Sequence, residues 1–128
     1  MVYTIGDASK RTGISSYTLR YYDKKGLLPF VNRDDHGRRY FKEHDFDYLS
    51  TINCLKRTDM SLKDIKSFIN WCQDGDCTLD KRRDFLIQHR KEVEKQLQEV
   101  QGYLDQIDHK IDYYSRAADK GTENGVEC

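Results

Sequence analysis

The side chains in this 128-residue sequence best suited to reactive chemistry are four cysteines, Cys54, Cys72, Cys77 and Cys128. A thiolate is both a nucleophile and a soft-metal ligand, so each is a candidate for electrophile chemistry or ion capture. Cys54 lies in an amphipathic stretch, and on an ideal helix it points about 160° away from the mean direction of Tyr48, Leu49, Ile52 and Leu55. Arg57, three residues on, is a cation that would favour the thiolate. Cys72 and Cys77 form a C-x4-C pair, looser than the C-x2-C spacing of strong metal motifs. Cys77 with Cys72, His109 or Cys128 would supply thiolate and imidazole donors to a metal ion, a low-ranking alternative to ordinary small side chains, and no cofactor is expected. The histidines, His36, His44, His89 and His109, are scattered. There is no His/carboxylate constellation, phosphate loop or Gly-rich cofactor turn, so the reading is not an enzyme.

A second chemistry is recognition of nucleic acid. Ser16, Tyr17, Thr18, Arg20 and Tyr21 fall within one short helical stretch, with Tyr17, Arg20 and Tyr21 able to share a face; such groups suit base edges and phosphates. Arg33, Arg38, Arg39 and Tyr40 cluster further on and could lie on the backbone or reach a minor groove. Lys56, Arg57 and Lys63 make a third basic cluster. Formal net charge is zero, yet residues 1–63 hold 12 Lys and Arg against 8 Asp and Glu, leaving 10 against 14 for the remainder. The basic half carries the candidate contacts.

Positioning these residues requires particular elements. Thr4-Ile5-Gly6-Asp7 is a capping box opening a helix from about Ile5 to Arg11; Gly13 ends it, Ser15 caps a second helix to about Lys25, and Gly26 closes that one. Two short helices across a tight turn make a helix-turn-helix. Pro29 then breaks helical geometry. Phe30-Val31 and Arg39-Tyr40-Phe41 flank the polar run 32–37 as a small hairpin, or wing. Helical patterning returns from about Glu43 to Thr58, and the capping box Ser61-Leu62-Lys63-Asp64 starts another helix carrying Ile65, Phe68, Ile69 and Trp71 inward. Beyond the loop 73–76, Leu86, Val93, Leu97, Val100, Leu104, Ile107, Ile111 and Tyr114 repeat at spacings of three and four, with Arg90 in the missing slot. A helix over Leu79–Tyr114 spans about 54 Å, too long for so small a core to cover, so a partner must bury this seam, the alternative being a helix folded back on its own domain. The expected organisation is a mainly α chain: a winged helix-turn-helix DNA-binding domain over 1–76, a coiled-coil dimerisation helix over 77–116 and a flexible tail over 117–128. Mean hydropathy is −0.91. No stretch approaches the roughly 20 apolar residues of a membrane span, and the start lacks a signal pattern, so a cytoplasmic protein without membrane partners is expected.

Thr18-Leu19-Arg20-Tyr21-Tyr22-Asp23-Lys24-Lys25-Gly26-Leu27-Leu28-Pro29, with Arg33 and Gly37-Arg38-Arg39-Tyr40-Phe41, resembles the MerR family of regulators. The resemblance continues through Ser61-Leu62-Lys63-Asp64-Ile65 and 107–114, nearly the whole chain. It implies an antiparallel two-helix coiled coil joining a homodimer on double-stranded promoter DNA. It also implies an overlong spacer that the activated protein bends and untwists until RNA polymerase engages both promoter elements, a deformation-energy mechanism.

Members of this family differ in what they sense. The dozen residues after Arg116 are too few for an appended drug-binding domain, and one terminal cysteine is not the paired-thiolate loop of the family's metal sensors. Ile52-Asn53-Cys54-Leu55-Lys56-Arg57 resembles the single-cysteine subgroup that responds to aldehydes and other electrophiles. The expected function is therefore transcription regulation with Cys54 as sensor. The alternatives are a metal-responsive regulator using Cys77 with Cys72, His109 or Cys128, and a DNA-architectural protein that senses nothing.

Overall fold

A computed structural model describes residues 1–127, which form two compact units, one over Met1–Ile87 and one from Gln88 onward.

The first unit begins with a strand, β1 (Val2–Thr4), followed by α1 (Ile5–Thr12), α2 (Ser16–Lys24), β2 (Asn32–Arg33), β3 (Arg39–Lys42), α3 (Asp45–Arg57) and α4 (Leu62–Asp74). The caps of α1 and α2 are those the sequence calls for, while at α4 only the Ser61 half of the expected Ser61–Asp64 capping box forms. The Thr4 hydroxyl accepts from the Asp7 amide and the Asp7 carboxylate accepts from the Thr4 amide, each at 3.1 Å, closing the capping box. Gly13 ends α1 in the left-handed region at φ 76°, and Ser15 and Ser61 cap α2 and α4 by accepting from Thr18 and Asp64. Gly26 follows α2 at φ 82°. Its amide donates to Asp23 and that of Leu27 donates to Tyr22, the paired bonds of a Schellman ending.

The three strands form one antiparallel sheet in the order β1-β3-β2, with Thr4 opposite Tyr40 and Arg33 opposite Arg39. The expected strand at Phe30-Val31 lies two residues later, because Phe30 turns into the core and stacks on Tyr48 at 4.9 Å. β1 was not anticipated: three residues are too few for a period-2 pattern to register. Leu19, Leu27, Leu28, Phe41, Leu49, Ile52, Ile65 and Ile69 are fully buried and join the helices and the sheet in one core. Trp71 is only partly buried against this core and meets Phe85 edge-on at 5.1 Å.

The last helix, α5 (Leu79–Lys120), follows a 3₁₀ turn at Asp76–Thr78. Arg82 ties its first turn to the preceding loop by donating to the Thr78 hydroxyl and the Gly75 carbonyl. In the second unit the helix runs past Arg116, the expected end of the dimerisation helix, and continues to Lys120, into the stretch 117–128 expected as a flexible tail. Ala117 is buried; the Thr122 amide donates back to its carbonyl at 3.1 Å and Arg116 reaches the Glu127 carbonyl at 2.7 Å. Residues 121–127 thus fold back on the last helical turns, and Cys128 lies outside the described residues. Leu97, Val100, Leu104, Ile107, Ile111 and Tyr114 are all exposed, Leu97 at 68%. Among the described residues no helix is long and apolar enough to cross a membrane.

Candidate nucleic-acid interface

The α2 cap leaves one helix face free. Leu19 and Tyr22 turn inward and are buried, which places Tyr17, at 79% exposure, Arg20 and Tyr21 outward. Arg20 makes no ion pair among the described residues. Ser16 and Thr18 are half-buried, and the Thr18 hydroxyl is engaged by Ser15 at 2.8 Å, so it is less available than its type suggests. Lys25 sits over the Tyr21 ring at 5.6 Å.

The wing is built around Asp34. Its carboxylate accepts from the amides of His36 and Arg38, both at 2.9 Å, while Gly37 turns the chain at φ 77°. These contacts, led by the Arg38 amide, hold the Asp34 carboxyl below its ordinary range. Arg38 is 3.4 Å from Asp34 and its side chain stays 74% exposed. A groove of about 690 Å³ opens between β1, α2 and the wing, lined by Val2, Thr4, Arg20, Arg38, Arg39 and Tyr40 among others. The structure therefore gathers Arg20, Arg38, Arg39 and Tyr40 from the sequence candidates. Ser16, Tyr17, Thr18, Tyr21, Arg33 and Arg57 do not line this groove.

Three candidates make contacts within the chain. Arg39 donates through Nε to Asp23 Oδ2 at 2.6 Å with only 19% of its side chain exposed, so it is an internal tie and not an open cation. Arg33 approaches the same oxygen at 3.7 Å and donates to the Gly37 carbonyl. Arg57 hydrogen bonds to Asn53, one turn back, at 3.3 Å. The residues the sequence reading missed are Asp23 and the β1 stretch. Asp23 lies inside the quoted motif, but nothing local marks it as the partner of a residue 16 positions on.

Among the thiols, Cys54 and Cys77 are exposed and Cys72 is half-buried; all three are free. Cys77 is 3.6 Å from the Asp74 carbonyl. Among the described residues no group of three or more His, Cys, Asp or Glu is placed to hold a metal ion.

Comparison with known proteins agrees with this geometry. Residues 3–70 match the model of the MerR HTH family regulatory proteins, and residues 46–110 match that of the MerR DNA-binding region. An uncharacterized HTH-type transcriptional regulator of Haemophilus influenzae is 44% identical over 98% of this chain and 93% of its own. The HTH-type transcriptional regulator AdhR of Bacillus subtilis is 30% identical over 70% of this chain and 64% of its own. The crystal structure of HiNmlR, a MerR family regulator lacking the sensor domain, bound to promoter DNA, superposes with a TM-score of 0.88 at 44% identity, covering 98% of this chain and 100% of that one. A free recognition-helix face beside a small wing, matched over almost the full length, shows that this chain belongs to the MerR family of DNA-binding transcriptional regulators.

Proposed function

We propose that the chain acts as a homodimer on promoter DNA, distorts an overlong spacer so that RNA polymerase can engage both promoter elements, and responds to aldehydes or related electrophiles through Cys54. The observation that carries this reading is the outward face of α2, whose Arg20 shares a groove with Arg38 and Tyr40 of the wing. Tyr17, Arg20 and Tyr21 then face base edges in the major groove, and Ser16, Thr18, Arg33, Arg38, Tyr40 and Arg57 serve the phosphate backbone. The exposed apolar seam of α5 supports pairing of two copies as a coiled coil.

For the sensor, support comes from position and exposure. Cys54 stands on α3 with its side chain in solvent while its neighbours Ile52 and Leu55 are buried. The thiolate sulfur adds to the carbonyl carbon, the C=O pair moves to oxygen, and oxygen takes a proton; the product is a hemithioacetal and nothing leaves. The adduct adds bulk near the C-terminal end of α3, whose opening turn packs against β3 through Asp45 and Phe46, and so biases how the reading elements meet DNA.

The test is a transcription reporter with Cys54→Ser. The variant is expected to bind the promoter duplex as the parent does and to lose induction by aldehyde. Full induction of the variant overturns the sensor assignment, and failure of the parent to bind any duplex overturns the DNA reading.

A further inference from the structure

The wing places two arginines where simple strand chemistry disfavours them. Arg33 and Arg39 are paired directly across β2 and β3, and like charges opposite one another on an antiparallel pair are destabilising. The compensating charge comes from outside the hairpin. Asp23, in the last turn of α2, presents a single oxygen to both: 2.6 Å to Arg39 Nε and 3.7 Å to Arg33 Nη2. The Asp23 and Arg39 side chains are only 22% and 19% exposed, so this contact is shielded more than a surface pair. Arg20 lies one turn earlier on the same helix and lines the same groove as Arg38 and Arg39.

We infer that Asp23 is a positioning residue for DNA binding: by neutralising the cross-strand Arg33–Arg39 pair it ties the wing to the recognition helix, so that Arg20 and Arg38 address one duplex in a fixed spacing. This rests on reading α2 and the wing as the DNA-binding surface. It has a consequence of unusual sign. Removing a carboxylate from a surface facing a polyanion ordinarily strengthens binding. Here removal frees the wing and weakens binding.

The variants are Asp23→Asn, nearly the same shape, Arg39→Gln, and the two together. The probe is the duplex that the wild-type protein selects from a random-sequence duplex pool, titrated over a range of KCl. Asp23→Asn is expected to bind roughly tenfold more weakly, and the double variant no more weakly than the worse single one, as for members of one coupled unit. The slope of log affinity against log salt should be unchanged in Arg39→Gln, since each phosphate contact contributes about 0.9 to that slope and Arg39 makes none. In the free protein, amide hydrogen exchange over residues 32–42 should quicken in Asp23→Asn while α3 and α4 keep their protection. Unchanged or tighter binding by Asp23→Asn, a slope lowered by about 0.9 in Arg39→Gln, or unaltered exchange over the wing would each overturn the inference. If the wild-type protein selects no duplex, the proposed function fails and the exchange measurement still tests the tie.

Discussion

Arg11 shows how much one guanidinium can organise. It forks onto the Glu43 carboxylate, lies 3.9 Å over the Phe46 ring and is 5.5 Å from the Tyr3 ring, while the Tyr3 hydroxyl donates to the same carboxylate at 2.8 Å. These donors, Arg11 first and Tyr3 second, hold the Glu43 carboxyl down at about 2 from an ordinary 4.5. A folded-state value depressed in this way contributes stability that is complete above about 4.5 and lost as pH falls toward about 2. The Glu43→Gln variant should accordingly lose less stability than the parent between about pH 6 and about pH 3; urea midpoints at the two pH values measure it, and equal losses would reject the assignment. Neither this cluster nor the Asp23–Arg39 tie is legible in the sequence. Their members lie 32, 40 and 16 positions apart, and Arg39, expected as a DNA contact from its place in the wing, is engaged by Asp23. The outward placement of Arg20 and Tyr17 was legible, because the inward Leu19 and Tyr22 fix which face of α2 is left over.

At the scale of elements, what could be read ahead was what is encoded locally. The Thr4–Asp7 box, the Ser15 and Ser61 caps and the Gly13 and Gly26 stops each act within a few residues, and all five are in place. The unread features depend on remote partners or on an atypical residue. β1 exists because β3 pairs with it, and Asp59 adopts φ 68° in a position where glycine would be the obvious signal. Gly26 offers a direct test of the local account. An added Cβ would lie 3.0 Å from Cε and Nζ of Lys66, the movable end of a long side chain, so the lasting cost is the left-handed backbone. Gly26→Ala is expected to destabilise the fold by about 1–2 kcal/mol, read by thermal or urea unfolding. Adding Lys66→Ala should not restore stability. Full recovery in the double variant would mean that the side-chain clash, and not the backbone, sets the cost.

At the scale of the whole molecule, the heptad seam was legible because its spacing is regular over many turns, whereas the extent of the first unit was not. Phe85 packs against Phe68 and Trp71 at 6.2 and 5.1 Å, so the opening turns of α5 belong with the DNA-reading unit; that contact joins residues far apart in any periodic pattern. The second unit leaves Leu97, Leu104, Ile107 and Ile111 in solvent, alongside an apolar groove of about 700 Å³ lined by Tyr103, Ile107, Ile111 and Tyr114. Burying a leucine contributes about 1.5–3 kcal/mol, and a repeating stripe of such residues is what a second copy would cover. Leu104→Asp removes one of these contributions from each chain and places a carboxylate in the seam, where an unpaired charge is costly. The parent is expected to be dimeric by light scattering at micromolar concentration and the variant monomeric. Trp71, the sole tryptophan, packs on Phe85 within the first unit, so unchanged fluorescence shows that the DNA-reading unit remains folded in the monomer. A monomeric parent would reject pairing through the seam altogether, and a variant that stays dimeric with the same fluorescence would place the self-association surface elsewhere.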